Sequence, residues 1–360
     1  MRVGLGLAAL ALVAACSDAP TGPTGSVRVD LSRGWQRASP GEVGMNALAL
    51  IAAAVDASRI PRFRSLLVAR HGRLVAERYF GGTDSTWLFD VRSVTKSVVG
   101  ALTGIALRDG VLPSTAAPIA PYLPPNDTLD AADSAVTVRN LLTMTSGYAW
   151  DETPGPDYNS WIIADNHVQY LLDRAHAASP GATFTYNSAA VHTLGVALEG
   201  AAATPLPQYA AGHLFEPLGA HTVLWEPLDR GTVNGGSGIA LRARDLLKFG
   251  QLFLQHGWSG GASVVPESWV DSATRPQFAW RTTVGPVRQV TYGMLWWVSE
   301  ADPAAFFAWG YGGQFVYVVP SRDLVVVATT DWRALSDIEV DQLSSQVLGV
   351  IVGDVVPAAR

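Results

Sequence analysis

A serine and a lysine stand three residues apart at the start of a long apolar run, in "FDVRSVTKSVVGALTGIALRDG" (89–110). If a helix begins near position 93, Ser93 and Lys96 lie on one face and their side chains can meet. A serine hydroxyl becomes a strong nucleophile when a neighbouring base takes its proton. Lysine can be that base where burial lowers its pKa, whereas arginine keeps its proton in proteins. The structural alternative is a helix-capping serine followed by a lysine whose charged end reaches solvent.

The composition makes this lysine unusual, because the chain has 23 Arg and only two Lys. Hydrophobic residues make up 48% of the chain and charged residues 16%, which is typical of a globular protein. The net charge is −6 and there is no basic run, so nucleic-acid binding is not expected. The seven His form no short metal-ligand pattern, so we expect neither a metal nor another cofactor.

Two later stretches add groups that suit acyl-transfer chemistry. "TFTYNSAAVHTLG" (183–195) places Tyr186 just before a predicted helix, and a tyrosine beside a cation shares its proton more easily. "AWGYGGQFVYVVP" (308–320) places Gly310, Gly312 and Gly313 on a predicted strand, where clustered glycines indicate close approach of the backbone to another group. Backbone N–H groups that face an oxyanion need such an approach. A core tyrosine and a bulge at a strand end are the plainer alternatives.

These three blocks, in this order, resemble the motifs of the serine β-lactamase and penicillin-binding-protein superfamily. Within it, the chain is similar to class C β-lactamase-like esterases and 6-aminohexanoate-dimer hydrolases. Supporting blocks are "LLTMTSGYAWDE" (141–152), "ARDLLKFGQLFLQHG" (243–257) and "YGMLWW" (292–297), so the resemblance covers nearly the whole chain after residue 35. It implies that Ser93 is the acylated nucleophile, Lys96 its partner and Tyr186 the second member of the base pair. It further implies an oxyanion hole formed by the backbone N–H groups of Ser93 and Gln314.

The sequence departs from the motifs of this superfamily at two positions that face substrate. Ser188 stands where many β-lactamases have Asn, and Tyr311 opens the third box, completed by Gly312 and Gly313, where Lys or His is usual. Without a cation at 311, we expect weaker binding of a β-lactam carboxylate. Tyr158 and Trp150 belong to an aromatic group in a loop-rich region and are expected to line the pocket, with simple loop packing as the alternative.

The order of predicted elements suggests an α+β fold of the β-lactamase-like type. Strand patterns lie at both ends, including a hairpin around His71-Gly72, and a helical block separates them. We therefore predict an antiparallel sheet flanked by helices, with an inserted, mostly helical lobe at roughly 111–250, in a hydrolase domain spanning 34–360. A cleft between sheet and lobe is the expected place for a small-molecule site.

The N-terminus has the pattern of an export signal. "MRVGLGLAALALVAAC" is a short apolar run after one Arg, ending at Cys16, the only cysteine. "VAAC" resembles a bacterial lipobox, which predicts a signal peptide at 1–16, lipidation of Cys16 and a flexible tether at 17–33. An ordinary cleaved signal peptide with a chance cysteine is the alternative. The lipoprotein interpretation predicts an exported protein anchored to a membrane, in the periplasm or at the cell surface.

The leading functional hypothesis is a serine hydrolase that cleaves an ester or amide of a small molecule through an acyl-enzyme at Ser93. The alternatives are a cell-wall D-Ala-D-Ala peptidase or β-lactamase, and a catalytically idle sensor lipoprotein of the penicillin-binding type. The sequence does not specify the acyl group, the leaving group or the oligomeric state.

Overall fold

A computed structural model describes residues 27–152 and 155–359. Its helices are α1 (Ala47–Arg59), α2 (Val94–Arg108), α3 (Val138–Leu142), α4 (Asp157–Trp161), α5 (His167–Leu172), α6 (Ser188–Ala202), α7 (Leu206–Ala210), α8 (Ala243–Leu254), α9 (Glu267–Ala273), α10 (Asp337–Gly349) and α11 (Val356–Ala358). Its strands are β1 (Phe63–Arg70), β2 (Arg73–Tyr79), β3 (Leu88–Asp90), β4 (Val223–Trp225), β5 (Ile239–Arg242), β6 (Trp258–Ser259), β7 (Ala262–Ser263), β8 (Thr282–Val284), β9 (Val287–Tyr292), β10 (Trp297–Ser299), β11 (Ala305–Gly310), β12 (Gln314–Val319) and β13 (Leu324–Thr330).

The main sheet joins the two ends of the chain. Its strand order is β2-β1-β13-β12-β11-β10-β9-β8, and every neighbouring pair is antiparallel. The β1–β2 hairpin turns at His71-Gly72, where both residues have positive φ, as the sequence predicted. β1 then pairs with β13, with Leu67 opposite Val327, so the C-terminal strands close onto the N-terminal hairpin.

Alternation along the strands gives the sheet an apolar core on each face. In β1, Leu67 and Ala69 belong to the core shared with α2, α6 and α8, whereas Leu66 and Val68 belong to the core shared with α1 and α10. Both faces are therefore covered by helices, which confirms the predicted antiparallel sheet with flanking helices.

The region between β3 and β5 supplies the helices α3 to α7 that stand beside the sheet. α8, which the sequence analysis placed within the lobe at 111–250, instead packs against β13, β12 and β1 as part of the main layer. A small sheet of order β3-β5-β4 was not predicted. It matters for the site because β3 runs directly into the segment before Ser93, and Val91 N–H donates to Ile239 O at 3.0 Å.

The first described residues already pack on the domain. Val29 N–H donates to Gln255 Oε1 at 3.1 Å, Leu31 N–H donates to Ser259 Oγ at 2.9 Å, and Leu31 is buried. Val29 and Leu31, which fall within the predicted tether at 17–33, are thus held on the domain, because the apolar side chain at 31 is buried in its core. Cys16 and the predicted signal peptide lie outside the described residues. Within 27–152 and 155–359, no helix combines the length and apolar character needed to cross a membrane.

Candidate active site

The first turn of α2 presents Ser93 and Lys96 together. Ser93 is the residue before the helix, with φ −67° and ψ −3°, and its hydroxyl makes no capping hydrogen bond. No acceptor for the Ser93 N–H is found in the part of the chain that the structure describes. Arg92 just before it has φ 47°, a conformation that a non-glycine residue seldom adopts and that often occurs at functional sites. The nucleophile candidate therefore sits at a sharp entry into the helix, with its hydroxyl free for chemistry.

Lys96 is fully enclosed and does not reach solvent. Its side chain is 1% exposed, and its Nζ lies 2.8 Å from Ser93 Oγ. Burial lowers the pKa of Lys96 to about 7, with Glu152 acting to raise it and Arg92 to lower it. A lysine with that pKa is partly neutral near pH 7 and can accept a proton from the serine. This geometry excludes the capping serine and solvent-reaching lysine considered from the sequence.

Tyr186 lies on the other side of Lys96. Lys96 Nζ stands 4.8 Å from the centroid of the Tyr186 ring, which stacks on Trp297 at 5.9 Å. Burial and the nearby Glu152 raise the pKa of Tyr186, while a hydrogen bond with the Ser93 side chain opposes that rise. The structure thus brings together the three groups that the sequence analysis named: Ser93, Lys96 and Tyr186.

Two further partners of Lys96 complete its surroundings. Lys96 Nζ donates to Ser188 Oγ at 2.7 Å and to Gly236 O at 2.7 Å. Ser188 in turn donates its hydroxyl hydrogen to Glu152, and its N–H donates to Glu152 Oε2 at 2.9 Å. From the sequence, Ser188 is expected to face substrate, whereas in the structure it lies within the hydrogen-bond network of Lys96.

Gly236 was not identified from the sequence as a site residue. The sequence offers Glu152 only as a carboxylate that could orient a substrate amine or, more commonly, as a solvated loop residue, whereas in the structure it contacts Ser188. Glu152 ends the block "LLTMTSGYAWDE", and Gly236 lies in "NGGSG", a run whose turn chemistry is a usable signal. Each of these residues meets the Lys96 network because a loop folds back towards it. The spacing of residues in the sequence does not predict such a contact.

A wall of polar and aromatic groups continues from Arg92. Arg92 Nη2 donates to Tyr158 Oη at 3.1 Å, and the Tyr158 and Ser237 hydroxyls lie 2.8 Å apart. The Arg92 guanidinium also stands 4.5 Å from the ring of Trp332. Trp150 donates its indole N–H to Glu152. Tyr158 thus contacts the residue before Ser93, and Trp150 contacts the carboxylate that holds Ser188, while their place in a substrate pocket stays a prediction.

The glycine-rich third box is a turn and not a strand, which corrects the sequence prediction. Only Gly310 lies on β11, while Gly312 and Gly313 have φ +79° and +92° in the β11–β12 turn. Tyr311 in the same turn donates its hydroxyl to Asp337 Oδ1 at 2.5 Å, at the start of α10, and its ring lies edge-on to that of Trp332 at 5.7 Å. Two consecutive positive φ values explain why glycines are needed here.

The close approach predicted for this box occurs at Gly310. A Cβ placed on residue 310 would lie 2.2 Å from Val91 O, so only glycine lets β11 end against the backbone that leads to Ser93. Gln314 is fully buried and pairs with Gly310 across the hairpin. Its side chain is fixed by Thr330, with a 2.7 Å donation from Gln314 Nε2 to Thr330 Oγ1.

Comparison with known proteins agrees with this architecture. The beta-lactamase family model matches residues 49–342. The chain belongs to the beta-lactamase family. It is 23% identical over 290 residues, covering 74% of this chain and 72% of the relative, to a 6-aminohexanoate-dimer hydrolase of Paenarthrobacter ureafaciens.

Two solved structures share the fold of this family member. EstCE1, a hydrolase with promiscuous acyltransferase activity, superposes with a TM-score of 0.66 at 18% identity, covering 84% of this chain and 99% of that one. A beta-lactamase/D-alanine carboxypeptidase from Yersinia pestis superposes with a TM-score of 0.67 at 20% identity, covering 85% and 98%. The chain is thus a serine hydrolase of this superfamily.

Proposed function

We propose that this protein hydrolyses an ester or amide bond of a small molecule through an acyl-enzyme at Ser93. One observation carries the proposal: a buried lysine, only 1% exposed, places its Nζ 2.8 Å from a serine hydroxyl that caps nothing. Burying a lysine is costly, and a protein that only needed a cation at this helix end could leave it in water.

The proposed reaction follows from these positions. Neutral Lys96 takes the proton of Ser93 as Oγ attacks the substrate carbonyl carbon, giving a tetrahedral oxyanion. The Ser93 N–H at the start of α2 faces the developing negative charge, with the Gln314 N–H proposed as the second donor. The bond to the leaving group then breaks, and the leaving oxygen or nitrogen receives the proton from Lys96, with Tyr186 serving the transfer. Water repeats the sequence on the acyl-enzyme and releases the acid.

The relatives guide the choice of substrate class, since one is named for hydrolysis of 6-aminohexanoate dimer and another is a hydrolase with acyltransferase activity. Position 311 carries no cation, and the Arg92 guanidinium is already engaged by Tyr158 and Trp332. A β-lactam carboxylate would therefore lack a charge-assisted contact of about 1.5–3 kcal/mol. We expect short esters or linear amides to be better substrates than cephalosporins.

A labelling experiment tests the proposed nucleophile. A fluorophosphonate probe should label the wild-type protein and leave Ser93→Ala unlabelled. The same preparations are then compared on short p-nitrophenyl esters, linear amides, nitrocefin and D-Ala-D-Ala peptides. Equal labelling of the Ser93→Ala variant would overturn the assignment of the nucleophile. A higher catalytic efficiency on nitrocefin than on every ester would overturn the substrate class.

We further propose that the protein is exported and held on a membrane by a lipid on Cys16. The support is the apolar run that ends in "VAAC" and the polar stretch that follows it. Mass spectrometry of the mature wild-type protein should show a lipidated N-terminal cysteine, and Cys16→Ala should remain soluble or unprocessed. An unmodified mature chain that starts at another residue would contradict this.

A further inference from the structure

The hydrogen bonds around Lys96 determine where its lone pair can point. Nζ contacts three oxygen atoms, Ser93 Oγ at 2.8 Å, Ser188 Oγ at 2.7 Å and Gly236 O at 2.7 Å. A charged ammonium donates to all three, but a neutral amine has two N–H groups and one lone pair. The lone pair therefore faces whichever partner is able to donate, and the two partners that can only accept take the N–H groups.

Gly236 O can only accept, and the turn around it is fixed. Asn234 Oδ1 accepts from Gly236 N–H at 3.0 Å and from Ser237 N–H at 3.1 Å, and Asn234 is fully buried. A Cβ on residue 236 would lie 2.7 Å from Ser188 O, so a larger residue could not bring this carbonyl so near. One N–H of neutral Lys96 is thus always directed to Gly236.

Ser188 is restricted to accepting from Lys96 by Glu152. The Ser188 hydroxyl hydrogen is donated to Glu152, whose carboxylate also accepts from Ser188 N–H at 2.9 Å and from the indole N–H of Trp150. A carboxylate has no hydrogen to give back, so the Ser188 hydroxyl can only accept from Nζ. The second N–H of neutral Lys96 is therefore directed to Ser188.

We infer that Glu152 is a positioning residue which, through Ser188, fixes the lone pair of neutral Lys96 on the Ser93 hydroxyl. The inference rests on the proposed function, in which Lys96 takes the proton of Ser93. Of the three oxygens that contact Nζ among the described residues, Ser93 Oγ is then the one with a hydrogen that the Lys96 lone pair can accept.

The charged and titratable groups that face Lys96 are Arg92, Glu152 and Tyr186. Glu152 raises the pKa of Lys96, and Arg92 lowers it. Neutralising Glu152 should therefore have two separable effects. The pKa of Lys96 should fall, and the lone pair of neutral Lys96 should no longer be kept pointing at Ser93 Oγ. Loss of this nearby negative charge lowers the pKa of Lys96 whatever else Glu152 does, so the plateau of kcat/KM, compared between Glu152→Gln and Ser188→Ala, is the readout of the lone-pair direction.

Glutamine at position 152 is the informative replacement. Oε2 accepts two donors, from Ser188 N–H and Trp150, so the carbonyl oxygen of a glutamine would stay there. Its NH₂ would then turn to Ser188 Oγ and donate, and the Ser188 hydrogen would be free to point at the Lys96 lone pair. Glu152→Gln should thus misdirect the base although the replacement has almost the same shape.

The kinetic test is the pH profile of kcat/KM on a p-nitrophenyl ester for wild type and Glu152→Gln. Asp165→Asn is the matched control, because it removes one exposed carboxylate from the same lobe without contact to this network. Glu152→Gln should lower the plateau by roughly the 10²–10⁴-fold typical of a lost general base, and its acid limb should move to lower pH. Asp165→Asn should match wild type. A folded Glu152→Gln enzyme with the wild-type plateau and limb would overturn the inference.

Ser188→Ala provides a second variant if Glu152→Gln does not fold. It leaves the Glu152 carboxylate in place and removes the hydroxyl that accepts from Lys96. The plateau of kcat/KM in Ser188→Ala should fall. The acid limb of its pH profile should not move to lower pH, because the Glu152 charge is still present. An unchanged plateau in folded Ser188→Ala would equally overturn the inference.

A direct measurement of Lys96 needs no substrate, because the chain has only two lysines. Protein labelled with [ε-¹³C]lysine gives two side-chain signals, which Lys248→Arg assigns. The Lys96 titration midpoint should be lower in Glu152→Gln than in wild type and unchanged in Asp165→Asn. If wild type turns over no substrate although the Lys96 titration midpoint is lower in Glu152→Gln than in wild type, only the proposed function fails. If wild type turns over ester normally and Glu152→Gln changes neither the Lys96 titration midpoint nor the plateau of kcat/KM, only the inference fails.

Discussion

At the scale of single residues, the site depends on a lysine that can lose its proton. Lys96 is buried, and its Nζ lies within hydrogen-bonding distance of three oxygens, Ser93 Oγ, Ser188 Oγ and Gly236 O. An arginine there would keep its charge at any pH the protein survives, so it could hold Ser93 but not deprotonate it. The requirement is therefore for the acid–base chemistry of lysine and not for positive charge.

Lys96→Arg should lower kcat on the best ester by about 10²–10⁴-fold or more, since the general base is lost while the charge stays. Tyr186→Phe should cost a similar amount. The double variant should lose much less than the product of the two single losses, because both groups serve one proton path. Far-UV circular dichroism should show that all three variants fold. Near-normal kcat in folded Lys96→Arg would mean that another group is the base.

The wild-type kcat/KM should rise with pH through about 7 and then level off. Burial lowers the pKa of Lys96 to about 7, so below this pH the amine is protonated and cannot take the Ser93 proton. The pH profile of kcat/KM reports the free enzyme, so it measures this titration directly. A profile that is flat from pH 5 to 9 would contradict Lys96 as the base.

The sequence predicted the catalytic core of this site because its members are tied to helix geometry. Ser93 and Lys96 are three residues apart on one helix, and Tyr186 directly precedes another. Glu152 could not be predicted in the same way, because its contact with Ser188 depends on a loop that folds back across 36 residues of sequence. The contact of the Gly236 carbonyl with Lys96 could not be predicted either. Every residue has a carbonyl, and only the fold of the turn points this one at Lys96.

At the scale of elements, the site is formed where the end of β11 meets the start of α2. The sequence placed the glycines 310, 312 and 313 on one strand, but Gly312 and Gly313 turn the hairpin, while Gly310 is the one that approaches the backbone at Val91. Glycine suits both a turn with positive φ and a close approach of the backbone, because it allows positive φ and has no Cβ. Its presence in the sequence therefore does not separate the two.

Gly310→Ala tests the element contact. The added methyl would lie 2.2 Å from Val91 O and should push β11 away from the segment that carries Ser93. We expect kcat to fall at least tenfold, since a displacement on the order of 1 Å at a reacting group can cost 10²-fold. Unfolding free energy should fall by about 1–3 kcal/mol.

Gly349→Ala is the control for this substitution. Gly349 lies in helical conformation at the end of α10 with nothing within 4 Å of an added Cβ. Its replacement should leave kcat unchanged and raise stability by about 0.4–1 kcal/mol. Wild-type kcat in Gly310→Ala would show that the hairpin can retreat without moving Ser93.

At the scale of the whole molecule, the sheet carries a core on each face, and the reactive lysine is enclosed in one of them. The side chains of β1 alternate between these cores, and its run Leu66–Ala69 is apolar throughout because helices cover both faces of the sheet. The α+β fold could be predicted from the order of strand and helix patterns along the chain and from the family resemblance. The packing of α8 against the sheet could not be predicted, because its amphipathic pattern indicates a buried helix but not the element against which that helix packs.

Enclosing Lys96 should also make the stability of the molecule depend on pH. The pKa of Lys96 is about 7 in the folded protein and near 10.5 when the chain is unfolded, so between these values the unfolded chain binds more protons. Stability from this group therefore rises with pH through that window, by up to about 1.4 kcal/mol per pH unit. The Lys96→Met variant lacks this titrating amine.

The measurement is urea unfolding of wild type, Lys96→Met and Ser93→Ala at pH 7, 8 and 9. The free energy of unfolding of wild type should rise relative to that of Lys96→Met by about 2–3 kcal/mol from pH 7 to 9. Ser93→Ala removes the nucleophile but keeps the buried amine, so it should follow wild type. If the difference between wild type and Lys96→Met is the same at all three pH values, the lysine is not held neutral by its burial, and Lys96 could not act as the base at neutral pH.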